Sequence, residues 1–467
     1  MWAPILPPGP MPLYERLVLA MTDDIQSGRL EAGTRLPPQR DLAFRLGISV
    51  GSVTRAYETA ERRGLVVAHV GRGTFVRGTA AKGLDAAPGD ADAPPRPDAS
   101  AAIDLRHNVP PFVPLLAELN GALSGLLKQG ATATALHYAP AAGLLPVRMA
   151  AVQWLARAHG LTVDAENLIQ CNGAQHAIAL VFSSICQPGE TILCESSSFY
   201  GARLAAEHLG RRLLGLPMDD EGLIPDELDR AARQSGSTLL FTLPTLHNPT
   251  TRTMSEPRRQ QIAAVARARN LLIFEDEAYY TYAERPRQIM TYAPERTIYL
   301  AGLSKGYCPG LRLAFLVLPP TLPRDRLLQG IRAFGYCPPA LGALVFSDWV
   351  AHGRIEAIGQ AIQDEAAARW AIAQTILGPL LASAGARRSP HAWLPLPAME
   401  AERMSARLLR AGVDVMPPDT SLIARDADTG LRLCLGAPAT RDQLATALRI
   451  VAQTLQDHGY ADRDGLI

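Results

Sequence analysis

Between Gly78 and about Ser100 the chain is dominated by Ala, Pro, Gly and Asp, a composition that cannot bury enough apolar surface to order itself. Such a stretch reads as a flexible or semi-rigid linker, so the 467 residues must fold as separate bodies on either side of it. The expected division is residues 1–77, a linker over 78–103, and residues 104–467. Beyond the linker, short apolar runs at Leu193-Cys194, Thr238–Leu243, Leu271–Phe274, Thr297–Ala301 and Ala314–Leu318 read as strands. Leu145–His159, Ala174–Ile185 and Arg258–Arg269 read as helices between them. That alternation predicts an α/β body, a mostly parallel sheet covered by helices. The tail from Glu356, helix-rich with short strands near Leu431–Leu435, predicts a smaller α+β lobe.

Composition narrows the class further. With 48% hydrophobic and 19% charged residues the chain can build a large core. No apolar stretch approaches the roughly 18 residues a membrane span needs. The Pro-rich start lacks a basic segment followed by an apolar one, which predicts neither a secretory leader nor a membrane partner. Six cysteines, at 171, 186, 194, 308, 337 and 434, are scattered without a Cys-x-x-Cys pair. They suit reduced thiols in the cytoplasm rather than a disulfide frame or a metal site.

Lysine is scarce. Of 46 basic residues only Lys82, Lys128 and Lys305 are not arginine. Lys82 lies in the linker and Lys128 on a polar helix face, but Lys305 precedes Gly306-Tyr307-Cys308-Pro309-Gly310-Leu311-Arg312 and a strand. A lysine amine can lose its proton and form a Schiff base, which guanidinium cannot do.

The first zone holds ten arginines against seven acids, a modest excess in which placement matters more than the sum. Pro37–Leu46 predicts a short helix, Gly47-Ile48-Ser49 a tight turn, and Val50–Arg63 a second helix with Val53, Ala56, Tyr57 and Ala60 on its apolar face. Helix, turn, helix is the geometry that lays a second helix in the major groove. Leu65–Ala68 and Thr74–Val76 read as two strands joined by Gly71-Arg72-Gly73. Such a tip lets backbone approach a sugar-phosphate surface while Arg72 reaches phosphate or the minor groove.

From Leu13 to Val76 this zone resembles the winged helix-turn-helix of the GntR family, an α+β DNA-binding domain. The matching pieces are Gly28-x-Leu30-x-x-Gly33-x-Arg35-Leu36-Pro37, Arg40-Asp41-Leu42-Ala43, Val53-Thr54-Arg55-Ala56-Tyr57 and Gly71–Val76. Arg35, Arg40, Ser49, Ser52, Thr54, Arg55, Arg72 and Gly73 are the candidate contacts to operator DNA. Val50 stands where the family often begins its recognition helix with arginine, so readout falls to Ser49, Ser52, Thr54 and Arg55.

A lysine that holds an aromatic aldehyde cofactor needs further groups around it. Asp276, at the end of an apolar strand, can keep a pyridine nitrogen protonated. Asn248 and Tyr279 can hold the ring 3-oxygen, and Phe199 can cover the ring. The helix-start amides of Ala174 and Gln175, with Arg312, suit a phosphate. Taken singly, Asp276 could be a strand-end cap, Arg312 a surface ion pair and Phe199 a core residue.

Together these residues resemble the fold type I, aspartate-aminotransferase-like enzymes, from about Asp104 to the end. The matching pieces are Tyr138-x-x-x-x-Gly143, Asn172–Gln175, Asn248-Pro249-Thr250, Asp276-x-x-Tyr279, Ser304-Lys305 and Pro309-Gly310-x-Arg312. The resemblance implies pyridoxal 5'-phosphate as cofactor, Lys305 as the catalytic lysine, and Ser304 among the cofactor contacts. It places Arg432 as the carboxylate-binding arginine, with a structural ion pair as the other reading, and Tyr138 as a tyrosine reaching the phosphate of a neighbouring subunit in a homodimer. Two departures stand out: Gly302 replaces a usual Ser or Thr, and Ser197 a usual proline. Loss of one hydroxyl weakens cofactor binding by about 1 kcal/mol.

A GntR-like head, a linker and an aminotransferase-like body resemble the MocR regulators. The resemblance implies a cytoplasmic transcription regulator whose body senses an amino acid, an amine or pyridoxal phosphate itself. The alternative is a metabolic aminotransferase carrying an appended DNA-binding head, and the same residues serve either.

Overall fold

The computed structural model describes residues 11–26, 29–30, 33–62, 65–69, 73–76, 102–282, 286–382 and 388–457, with residues 2, 4, 6 and 7. Contacts divide the chain into two compact units, Met1–Arg96 and Pro97–Ile467.

In the first unit, helices α1 (Leu13–Gln26), α2 (Gln39–Leu46) and α3 (Val50–Arg62) precede an antiparallel pair, β1 (Val66–His69) and β2 (Gly73–Val76). Leu17, Met21, Leu42, Val53, Ala56 and Tyr57 form its core. Gly47 ends α2 at φ 62°, the left-handed conformation expected of that turn. The chain before α2 adds a rung that the sequence reading lacked: Arg35 bridges Phe75, and the Leu36 amide donates to the Thr74 carbonyl at 2.8 Å. The wing is thus anchored to the helical part by backbone pairing.

The second unit opens with β3 (Ile103–Asp104), α4 (Leu116–Lys128), α5 (Leu145–Trp154), β4 (Leu168–Cys171), α6 (Gly173–Ile185), β5 (Thr191–Glu195), α7 (Tyr200–His208) and β6 (Arg212–Leu216). A small hairpin, β7 (Met218–Asp219) and β8 (Gly222–Leu223), leads to α8 (Pro225–Ser235), β9 (Leu239–Thr242), α9 (Glu256–Ala268) and β10 (Leu272–Asp276). Then come α10 (Ile289–Tyr292), β11 (Thr297–Gly302), β12 (Ala314–Val317), α11 (Arg324–Gly335), α12 (Leu341–Ala351) and α13 (Arg354–Leu377). The small lobe contains β13 (His391–Pro395), α14 (Ala398–Arg410), β14 (Val413–Asp414), β15 (Gly430–Cys434) and α15 (Arg441–Gln456).

Seven strands form one sheet in the order β4-β12-β11-β10-β9-β5-β6, parallel except that β12 runs against both neighbours. The strands β9 and β12 are buried along their whole length, which is why they read as apolar runs. In the small lobe β13 pairs antiparallel with β15, while β14 takes β3 as a parallel neighbour. The start of this unit is therefore stitched to its end.

Candidate functional site

The sheet register gathers the site. Cys171, Ala314 and Gly302 lie side by side across β4, β12 and β11, so the residues just beyond them, Gly173, Arg312 and Lys305, collect at one edge. Asp276 ends β10 opposite Leu300 of β11. Ligands gather at this edge of open α/β sheets because the turns there present main-chain and side-chain polar groups together.

Lys305 donates from Nζ to the main-chain carbonyl of Asn108, and its own carbonyl accepts the Tyr282 hydroxyl at 2.5 Å. Ser304 is half-buried in the same turn. Asp276 is buried and accepts the Ala278 amide on Oδ1 at 3.1 Å. The Tyr279 hydroxyl accepts from Asn108 Nδ2 at 2.9 Å. Arg432 is 5% exposed, donates from Nη1 to Asn248 Oδ1 at 2.7 Å and from Nη2 to the Arg106 carbonyl at 2.9 Å, and keeps Nε without a partner. No carboxylate among the described residues pairs with it, so the ion-pair reading of Arg432 finds no support here.

At the other end of the pocket, α6 begins with neither a side-chain cap nor an acid in its first turn, leaving the amides of Ala174 and Gln175 for an anion. Gly173 has φ +76°, and a Cβ there would lie 2.6 Å from Arg312 Nη2, so the guanidinium rests on the helix start. Gly201 likewise admits the Phe199 ring, whose atoms a Cβ would meet at 2.5 Å, beside Gln175, which donates to the Gly201 carbonyl at 2.8 Å. Tyr138 is 80% exposed and meets Tyr336 edge-on at 4.7 Å.

Burial governs the electrostatics. It pushes the Asp276 carboxyl up to about 7, against the Ala278 hydrogen bond, and brings the Lys305 amine down to about 8, with the Arg432 charge acting the same way. Burial also raises Tyr279, lowers His247 to about 3 and holds His391 well below its ordinary range. The donors fit pyridoxal phosphate. A cationic ring nitrogen would relieve the burial penalty on ionised Asp276, a phosphate would meet Arg312 and the uncapped helix start, and a partly neutral Lys305 is a nucleophile.

Sequence reasoning missed four buried residues here. Asn108 touches Lys305, Tyr279 and His391. His391 lies 5.1 Å ring to ring from Tyr279, His247 precedes Asn248, and Glu195 accepts the Leu243 amide at 3.0 Å. Burial pushes the Glu195 carboxyl up to about 7 against the Thr242 hydrogen bond, and its charge reaches Asp276. Their contacts span tens to hundreds of residues, and no local pattern marks them.

In the first unit Ser49 receives the Ser52 amide at 3.1 Å and so starts α3, while Arg35, Arg40 and Arg55 are exposed. Thr54 commits its hydroxyl to Gln39 at 2.8 Å and the Val50 carbonyl, tying α2 to α3. Arg55 sits 4.2 Å over the Tyr14 ring. An open groove on α3 is lined by Gly51, Thr54 and Arg55, then by Glu58 and Glu61. The acids confine any phosphate contact to the first half of the helix. Gly73 begins β2, whereas Arg72 falls outside the described residues.

Residues 102–451 match the family model of aminotransferase class I and II, and residues 13–76 match that of bacterial regulatory proteins, gntR family. The chain is 27% identical over 465 residues to the uncharacterized HTH-type transcriptional regulator YdeF of Bacillus subtilis, covering 98% of this chain and 97% of that one. Among solved structures it is similar to an archaeal alanine:glyoxylate aminotransferase, with a TM-score of 0.69 at 23% identity, covering 76% of this chain and 91% of that one. It is similar also to LysN, the alpha-aminoadipate aminotransferase of Thermus thermophilus, complexed with N-(5'-phosphopyridoxyl)-L-leucine. There the TM-score is 0.67 at 24% identity, over 76% and 92% of the two chains. At those identities the likeness speaks for the fold.

Proposed function

We propose that this chain, which belongs to the aminotransferase class I and II family and carries a gntR-family head, is a DNA-binding transcription regulator that uses its aminotransferase-like body as a sensor. The observation that carries the reading is the coexistence in one chain of an arginine-bearing α3 with Arg55 exposed and a pocket that joins half-buried Lys305, buried Asp276 and an Arg432 that pairs with no carboxylate among the described residues. The relative similar over nearly its whole length is named a transcriptional regulator.

In this reading the head is residues 1–77, the linker 78–103 and the body 104–467. Pyridoxal phosphate, when bound, supplies an aldehyde for an amine and an electron-withdrawing ring. Lys305 presents a nitrogen that is partly neutral near pH 8, and Asp276 keeps a proton on the ring nitrogen. Tyr279 and Asn248 hold the 3-oxygen, Phe199 covers the ring, and Ala174, Gln175, Ser304 and Arg312 grip the phosphate end. Arg432 takes the carboxylate of an amino-acid effector. Occupancy shifts the population of body conformations, and the linker passes that shift to the DNA heads.

Exposed Leu136, Tyr138, Tyr336 and Leu341 suit burial against a second copy, which supports a homodimer. No helix of the described residues is long and apolar enough to cross a membrane, and with the scattered free cysteines this supports a cytoplasmic protein. The test is binding of the purified protein to DNA upstream of its own gene, with and without pyridoxal phosphate at stated salt. Specific binding is expected. Its absence, together with turnover of amino-acid and oxo-acid pairs, would establish the metabolic aminotransferase instead.

A further inference from the structure

The first described stretch after the linker does not run over the surface of the body. Ile103 and Asp104 pair with Val413 and Asp414, the Leu105 amide donates to the Asp414 carbonyl at 2.8 Å, and Leu105 in turn accepts the Cys434 amide at 2.9 Å. The chain then turns into the pocket. Asp104 Oδ1 sets that turn by accepting the amides of Arg106 at 2.7 Å and His107 at 3.0 Å.

Two carbonyls of this strap are held by the two cations that a ligand must engage. Arg106 accepts from Arg432 Nη2 at 2.9 Å and from the Cys434 thiol at 3.2 Å, and Asn108 accepts from Lys305 Nζ. The Asn108 carboxamide adds a bond to the Tyr279 hydroxyl at 2.9 Å and lies 3.1 Å from His391 Nδ1. Just beyond, Val109 is pressed on Gly436, where a Cβ would lie 2.0 Å from its carbonyl oxygen.

We propose that the segment 105–109 is the coupling strap of the sensor: ligand groups and strap carbonyls compete for Arg432 and Lys305, and the outcome is delivered to the body end of the linker. A carboxylate bound to Arg432 takes Nη2 from the Arg106 carbonyl, because a charged acceptor binds a guanidinium more strongly than a neutral one. If the aldehyde carbon of the cofactor bonded to Lys305 Nζ, its oxygen leaving as water with two amine protons, the nitrogen would be drawn from the Asn108 carbonyl. Both events loosen the same few residues, which are joined through Ile103 and Asp104 to the linker sequence. This inference rests on the sensor reading above. It assigns the transmission to this strap rather than to any other part of the body.

The test compares hydrogen exchange in the full-length protein without ligand, saturated with pyridoxal phosphate, whose aldehyde engages Lys305, and saturated with N-(5'-phosphopyridoxyl)-L-leucine, whose carboxylate engages Arg432. Amides of residues 103–109 should exchange about fivefold faster with either ligand than without one. Rates with both ligands equal to those of the ligand-free protein would overturn the proposal. A second arm uses Asp104→Ala, which removes the turn without touching cofactor or carboxylate groups. The variant should keep the cofactor absorption band and ligand titration but lose the ligand-dependent change in affinity for upstream DNA. A response as large as that of the unaltered protein would also overturn it. If the protein binds both ligands yet never binds that DNA specifically, the regulator reading fails while the exchange comparison still decides the strap. Binding of neither ligand sinks both.

Discussion

Asp276 and Lys305 share a buried pocket in which each is displaced toward neutrality, the acid up to about 7 and the amine down to about 8. Glu195, displaced the same way to about 7 from 4.5, gives a pH signature. Its stabilising contribution is complete below its unfolded value and is lost as pH rises through about 7, because the folded chain then ionises a buried carboxyl. Urea unfolding of cofactor-free Glu195→Gln should therefore lack a decline of roughly 3 kcal/mol that the unaltered protein shows between pH 4.5 and pH 7. Equal pH slopes in the two proteins would refute that ionisation. Arg432→Ala strips Asn248 Oδ1 and the Arg106 carbonyl of a donor. It should raise the amount of amino acid needed to change the visible band by roughly 10- to 100-fold, with cofactor attachment spared. An unchanged dose-response would move the carboxylate site elsewhere. At this scale Lys305, Asp276 and Arg312 were legible because each sits at a strand end or in a lysine-poor chain where its type is conspicuous. Asn108 and His391 were not, since burial and long-range partners define them.

The element that shapes the phosphate end is the start of α6. Gly173→Ala would place a methyl group 2.6 Å from Arg312 Nη2 at a residue with φ +76°. Backbone strain and the displaced guanidinium together should weaken cofactor binding by about 1–2 kcal/mol, close to tenfold in Kd, measured by absorbance titration. An unchanged Kd would show that Arg312 works from another position. The parallel strands β5, β9, β10 and β11 were readable as apolar runs between helices, and so was the mostly parallel sheet. The edge strand β6 was not, because Arg212 opens it and its first four residues alternate between exposed and half-buried. Nor was β13, a short segment whose ladder partner among the described residues is β15, some forty residues on. The reversed direction of β12 follows from the connection 303–313 that carries Lys305 and Arg312, and no apolar pattern encodes direction.

Across the whole chain the boundary between the two compact units, Met1–Arg96 and Pro97–Ile467, falls in sequence rich in Ala, Pro, Gly and Asp. The helix-turn-helix was legible from turn and apolar-face spacing alone, whereas the backbone pairing of Arg35 with the wing was not. Arg40→Ala should weaken binding to every DNA sequence alike and reduce the magnitude of the salt slope by about 1. Arg55→Ala should cost more on the specific site, since Tyr14 holds that guanidinium in place at the readable end of α3. Equal losses on specific and random DNA would remove Arg55 from readout. The coupling proposed for this chain is between cofactor chemistry at Lys305 and DNA binding. It is tested most directly by titrating pyridoxal phosphate into the protein, with and without Lys305→Ala, while following the visible absorption band and the affinity for upstream DNA in the same samples. The two curves should superimpose in the unaltered protein, and both responses should vanish in the variant. DNA affinity that ignores the band, or persists unchanged in Lys305→Ala, would contradict the account.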